Sequence, residues 1–188
     1  AASGKPEFAF LDEQRITSIK AALVKGISFV VRSQVSLNGV KSGWCAQHDP
    51  LTLQPVAARA MEPASLASVE TSNMLKFLMT LPEPDPELVS CISSALQWLE
   101  TSKIVGISRV KHEGKTRYEP NPGSTEVYWA RFYSLTDGKP IFPGRDGVIY
   151  QSYSEMAARN KIGYDFYSTR PGSTVGSRLA LLHDSKLR

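Results

Sequence analysis

A chain of 188 residues with 41% apolar and 21% charged side chains can bury one ordinary hydrophobic core and is short for two. That mixture excludes a wholly disordered, fibrous or low-complexity chain. The 22 Lys+Arg against 18 Asp+Glu give +4, a mild excess that favours anionic partners and leaves nucleic acid, anionic lipid and acidic polysaccharide open.

No apolar run approaches the roughly 20 residues that cross a bilayer, since Lys25 and Gly26 interrupt the stretch from Ala21 to Val31, so no membrane insertion is expected. The opening AASGKPEF has no apolar segment behind a basic one, and no secretion signal is expected in it. Two cysteines, Cys45 and Cys91, permit at most one disulfide and do not make a disulfide framework.

From Asp12 to Gln34, Ile16, Ile19, Leu23, Ile27 and Val30 recur at spacings of three and four, which predicts an amphipathic helix. The following SLNGVKSGWCAQHDPLTLQPVAARAMEP carries Gly39, Gly43, Pro50, Pro55 and Pro63, and it reads as a long loop, a place where function often resides. Ser65 to Leu81 restores the helical period through Leu66, Val69, Asn73, Leu75, Phe77 and Leu78 and stops at Pro82. A third helix starts where Asp85 can cap, Pro86 can occupy the first turn and Glu87 adds negative charge. Its buried face is Leu88, Ile92, Ala95 and Leu99, and it should pair antiparallel with the second helix through a short linker.

After Lys103 the texture changes to β-branched and aromatic residues. IVGISRV and TRY flank the turn HEGK, VYWARFYSL and KPIF flank Thr136, Asp137 and Gly138, and GRDG precedes VIYQ, so the region reads as hairpins or short ribbons. Ser154 to Asn160 has room for one or two helical turns, and STRPGSTVGSRLALLHDSKLR reads as mostly loop. The sum is a mainly α chain with short β-strands.

The tetrapeptide CAQH invites a Cys-His nucleophile or a metal site. Structural zinc needs about four ligands, whereas His48, His112 and His183 are scattered and no second cysteine stands near Cys45. Cys45 and Cys91 are better read as small buried hydrophobes. GRDG lacks the phosphate-cradling glycine pattern and opens no helix, so it reads as a turn. Scattered arginines are ordinarily solvated surface. In YWARFY, however, strand alternation would put Trp129, Arg131 and Tyr133 on one face and Tyr128, Ala130 and Phe132 on the other. A guanidinium matches a carboxylate bidentately and aromatic rings suit sugar faces or bases, so that face suits an anionic sugar or single-stranded nucleic acid. The RNA alternative lacks an aromatic-basic recognition motif and a dense basic stripe.

The segments GWCAQHDPLTLQPVAARAMEPASLASVETSNMLKFLM, ALQWLETSKIVGI, WARFYSLTDGKPIFPGRDGVIY and NKIGYDFY resemble stretches of polysaccharide lyase family 10 pectate lyases, from about Lys41 to Tyr167. The resemblance implies a partial (α/α) toroid-like helical domain with a small β-ribbon face lining a cleft. It implies one truncated domain over residues 1–188: a helical part at 1–103, a β-ribbon part at 104–153 and a C-terminal tail at 154–188. In that family the activity is calcium-dependent β-elimination of polygalacturonate. The resemblance places the catalytic base at Arg59 and substrate-carboxylate ligands at Arg131 and Arg145. Gln47 and His48, with Asp49, match a motif bordering the same cleft, and Trp129, Tyr133 and Tyr128 are candidate sugar-facing surfaces.

The family's calcium-binding aspartates lie upstream of the region this chain resembles, so no metal site is expected here, although calcium can bridge through the polymer's own carboxylates. An arginine, with a pKa above about 12, is a poor base unless a Lewis acid acidifies the proton it takes. The expectation is therefore a non-catalytic pectate-binding unit. It would bind oligogalacturonides rather than nucleic acid or membrane, as part of a larger secreted enzyme and with dimerisation open to it. The alternative is an active calcium-dependent lyase with Arg59 as base.

Overall fold

The structure is a computed structural model that describes residues 8–112, 114–160 and 165–176. Helix α1 runs Glu13–Ser33 and begins where the Asp12 carboxylate accepts from Arg15 N–H at 2.8 Å. Only its last turns reach the main core, through Val30 and Val31; of the stripe read from the sequence, Ile19 and Leu23 stay exposed and Ile16, Ile27 and Val30 are half-buried.

The next segment is not all loop. Strands β1 (Ser36–Leu37) and β2 (Val40–Lys41) form a hairpin whose two connecting residues, Asn38 and Gly39, have φ of 51° and 80°. Positive φ at both positions is the two-residue turn that Asn-Gly favours. Gln34, buried at the end of α1, donates from Nε2 to the carbonyls of Ser42 and Cys91, both at 2.8 Å, and so ties helix, hairpin and the third helix together.

The predicted second helix loses its first turn to a sheet. Leu66–Ala67 is strand β3, and α2 runs Ser68–Leu78. Helix α3, Pro86–Thr101, starts as expected, with Asp85 accepting from Leu88 N–H at 2.8 Å. Leu75 and Leu78 of α2 meet Leu88, Cys91, Ala95 and Leu99 of α3 in the main core.

Beyond α3, β4 (Ile107–His112) and β5 (Lys115–Pro120) form a hairpin with Gly114 at φ 76°. Short strands follow: β6 (Trp129–Ala130), β7 (Phe132–Tyr133), β8 (Pro140–Pro143) and β9 (Ile149–Tyr150). Helix α4 (Tyr153–Arg159) fills the span read as one or two turns, and β10 (Tyr167–Ser168) comes after it. The four-stranded sheet has the order β3-β7-β8-β9, and β6 pairs with β10 instead. Residues 171–176 are helical, not loop, and Thr174 is buried against α2 with its hydroxyl 2.7 Å from that of Ser72.

The fold is therefore not mainly α, nor an (α/α) toroid segment. Among the described residues helix accounts for 38% and strand for 21%, and the strands make several antiparallel sheets. The difference has a simple cause: strands of two residues are created by partners far along the chain, and two residues are too few to show a period.

Candidate functional site

Arg59 stands in a tight turn closed by backbone bonds from Ala58 N–H to Glu62 O at 2.9 Å and from Glu62 N–H to Arg59 O at 2.8 Å. The turn folds the Glu62 carboxylate back onto Arg59, whose Nε donates to Oε2 at 3.1 Å. The other oxygen of Glu62 lies 3.9 Å from Arg131 Nη2, which also donates to Glu70 Oε1 at 3.3 Å. Two arginines and two glutamates thus alternate in one chain of charges, Arg59, Glu62, Arg131, Glu70. The side chain of Arg59 is 86% exposed and that of Arg131 26%, so one cation projects and the other is held.

Burial acts to raise the Glu62 pKa, but hydrogen bonds and charge from Arg59, with a smaller contribution from Arg131, carry it below the usual glutamate value. Glu70 Oε2 is buried without a hydrogen-bond partner.

The backbone explains the placement of Arg131. It sits between β6 and β7, where the chain passes from one sheet to another; its N–H donates to Phe166 O at 2.8 Å and its carbonyl accepts from Ser68 N–H at 3.1 Å. Strand alternation is broken at that residue, and the Trp129–Arg131–Tyr133 face read from the sequence does not form. Trp129 is 2% exposed, Tyr133 1% and Tyr128 3%. Trp129 Nε1 donates to Leu99 O at 2.7 Å, and the Tyr133 hydroxyl accepts from Ala130 N–H and donates to Ser102 O, at 2.9 and 2.8 Å. Trp129 and Tyr133 are core residues that anchor the sheets to α3, not sugar-facing surfaces. Tyr128 belongs to a second, aromatic core with Tyr118, Phe142 and Tyr153, but one edge of it lines a cavity shared with Arg131.

Arg145 lies in the turn after β8. Gly147 N–H donates to Gly144 O at 3.2 Å with Gly147 at φ 80°, while Asn160 Oδ1 accepts from Arg145 N–H at 2.8 Å. Asp146 steadies the turn, its carboxylate accepting from Tyr150 OH at 2.6 Å and from Val148 N–H at 3.1 Å. Phe132 pairs with Ile141 in antiparallel register, which sets the start of β7 beside the end of β8. Arg131 and Arg145 therefore leave the sheet at the same end, with Cα atoms no more than about 24 Å apart by chain reach. Among the described residues no ion pair joins the exposed Arg145 to the Arg59–Glu70 chain.

His48 is internal to its loop: its Nε2 accepts from Cys45 N–H at 3.1 Å and its Nδ1 lies 3.0 Å from Leu53 O. Asp49 turns the same loop by accepting from Leu51 and Thr52 N–H at 2.9 and 2.7 Å. Gln47 is exposed, and its carbonyl accepts from Val56 N–H at 3.1 Å. Cys45 and Cys91 are both buried and free.

Glu62 and Glu70 are the residues that the sequence reading missed. Glu62 follows Arg59 at three residues and had a local signal; Glu70 is far from Arg131 in sequence and had none. Among the described residues, no group of three or more His, Cys, Asp or Glu is arranged to hold a metal. Calcium takes about six to eight oxygen ligands. The carboxylates beside Arg131 are two, both turned toward guanidinium groups, and do not make a calcium cage.

The sequence profile of the pectic acid lyase family matches residues 1–175. The chain belongs to the pectic acid lyase family. It is similar to the family 10 polysaccharide lyase from Cellvibrio cellulosa, at 28% identity and a TM-score of 0.82 over 96% of this chain and 56% of that one. A mutant of that lyase in complex with trigalacturonic acid matches over 96% of this chain and 57% of its own, again at 28% identity and 0.82. This member thus spans little more than half the length of the solved lyases it matches. No curated protein sequence matches it. No helix among the described residues is long and apolar enough to cross a membrane.

Proposed function

We propose that this chain binds polygalacturonate, holding its carboxylates with Arg131, Arg145 and Arg59, and does not by itself carry out β-elimination. The observation that carries this reading is the 3.1 Å contact between Arg59 Nε and Glu62. Proton abstraction needs an acceptor, and a guanidinium presents only donors, of which Arg59 Nε is already given to the Glu62 carboxylate. The same donors that make Arg59 a poor base suit it to a polyanion. Two exposed or half-exposed arginines leave one end of a sheet, and a third projects from the adjoining turn, so the charges are spread along a surface as a repeating carboxylate polymer requires. The complex of a similar lyase with trigalacturonic acid supports the ligand class. The unit would serve as one part of a larger secreted enzyme.

Affinity electrophoresis tests the proposal. Polygalacturonate in the gel should retard the chain, with and without a chelator, while neutral glucans should not; equal mobility in both gels overturns it. The second reading, an active calcium-dependent lyase, is favoured by the family match over residues 1–175. Incubation with polygalacturonate and calcium at alkaline pH separates the two: rising ultraviolet absorbance from an unsaturated product means turnover, and a flat trace means binding alone.

A further inference from the structure

Beside Arg131, a cavity of about 480 Å³ opens between the β4–β5 hairpin, the residues flanking β6 and the segment from Asp165 through β10 to Arg170, with Arg59 not among its lining residues. Its walls carry three guanidinium groups, from Arg109, Arg131 and Arg170, and three phenols, from Tyr118, Tyr128 and Tyr167. A space of a few hundred Å³ is the size of an ordinary small-ligand site. Arg109 donates to Thr116 Oγ1 at 3.3 Å, and among the described residues neither Arg109 nor Arg170 has a carboxylate within ion-pair distance. Glu126 and Asp165 also reach the cavity, leaving three cations against two anions.

The phenols of the wall pack ring against ring. Tyr118 and Tyr128 meet edge to face at a ring separation of 5.5 Å, and Tyr118 and Tyr167 lie 4.8 Å apart. Burial pushes the Tyr118 and Tyr167 phenols up to about 12, so they stay neutral and add no negative charge to the wall. Tyr118 and Tyr128 are buried behind the half-buried Tyr167, so Tyr167 is the ring that can meet the apolar face of a sugar acid while the guanidinium groups at the rim meet its carboxylate.

We infer that this cavity is a uronate subsite, in which Arg109 and Arg170 receive the carboxylate of a sugar adjoining the one held by Arg131. The inference rests on the polygalacturonate reading and extends it to residues outside the three arginines named above. Arg109 and Arg170 are exposed, so Arg109→Gln and Arg170→Gln should leave the fold intact, as unchanged melting would confirm.

Titration calorimetry with trigalacturonate should show the double variant R109Q/R170Q binding about tenfold or more weakly than the native chain. Lys20→Gln with Lys25→Gln, on α1, removes the same charge elsewhere and should change affinity less than about twofold. Methyl-esterified trigalacturonate should bind the native chain and the R109Q/R170Q variant equally weakly. Native binding that survives in R109Q/R170Q overturns the subsite alone, as does an equal loss in the two lysine variants. Absence of any binding by the native chain overturns the polygalacturonate reading and the subsite with it.

Discussion

Glu62 Oε2 accepts from Arg59 Nε at 3.1 Å while its other oxygen lies 3.9 Å from Arg131 Nη2, so one carboxylate stands between two arginines of the site. The depressed Glu62 pKa sets a sign for acid stability. A carboxylate whose folded pKa lies below its unfolded one contributes stability above the unfolded value and loses it as pH falls through the folded one. Melting of the native chain should therefore fall more steeply from about pH 5 to about pH 3 than melting of Glu62→Gln, the difference reporting this one group. Parallel curves would show that Glu62 is not engaged in solution.

Arg145 and Arg131 should separate binding from stability. Arg145→Ala removes an exposed cation whose backbone, not its side chain, holds the turn, so stability should stay within about 0.5 kcal/mol while polygalacturonate affinity drops about tenfold. Arg131→Ala should weaken binding and also cost about 1–3 kcal/mol, because Glu70, with one oxygen already buried and unbonded, loses the donor at the other. Denaturant titration alongside gel retardation measures both effects.

Trp129 should behave as core. Trp129→Phe leaves the Leu99 carbonyl without its 2.7 Å partner and should destabilise by about 1–3 kcal/mol without changing affinity for the polymer. A folded Trp129→Phe that loses polymer binding would return that ring to the sugar-facing role.

Gly43 allows two elements to approach. A Cβ there would press on Thr71 Oγ1 and stand 2.9 Å from ring atoms of Trp98, and Thr71 Oγ1 is already the acceptor for Trp44 N–H at 2.9 Å. Gly43→Ala should therefore cost about 1–3 kcal/mol in urea denaturation, with Gly26→Ala, where nothing stands within 4 Å, near neutral or stabilising.

Much of the helical part was legible. Asp85, Pro86 and Glu87 mark the start of α3 by chemistry confined to one turn, and the period from Ile16 to Val30 marks α1, because a helix satisfies its own backbone with near neighbours. The Asn38-Gly39 turn carried an equally local signal that a reading weighted toward Gly and Pro as breakers passed over. The direction of the aromatics was not legible. Alternation along YWARFY assumes one continuous strand, whereas the N–H and carbonyl of Arg131 are taken by Phe166 and Ser68, and the chain changes sheets there.

By itself the sequence determined the starts of α1 and α3, the turn between β4 and β5, and the family, since these rest on residue type and on contacts a few positions apart. The tertiary structure alone decided that Trp129 and Tyr133 face inward, that Arg131 lies between Glu62 and Glu70, and that Arg109 and Arg170 share its cavity. Those facts depend on partners tens of residues away. Their positions follow from how sheets and helices close on a common core, a global balance of burial and backbone hydrogen bonding that no local pattern encodes.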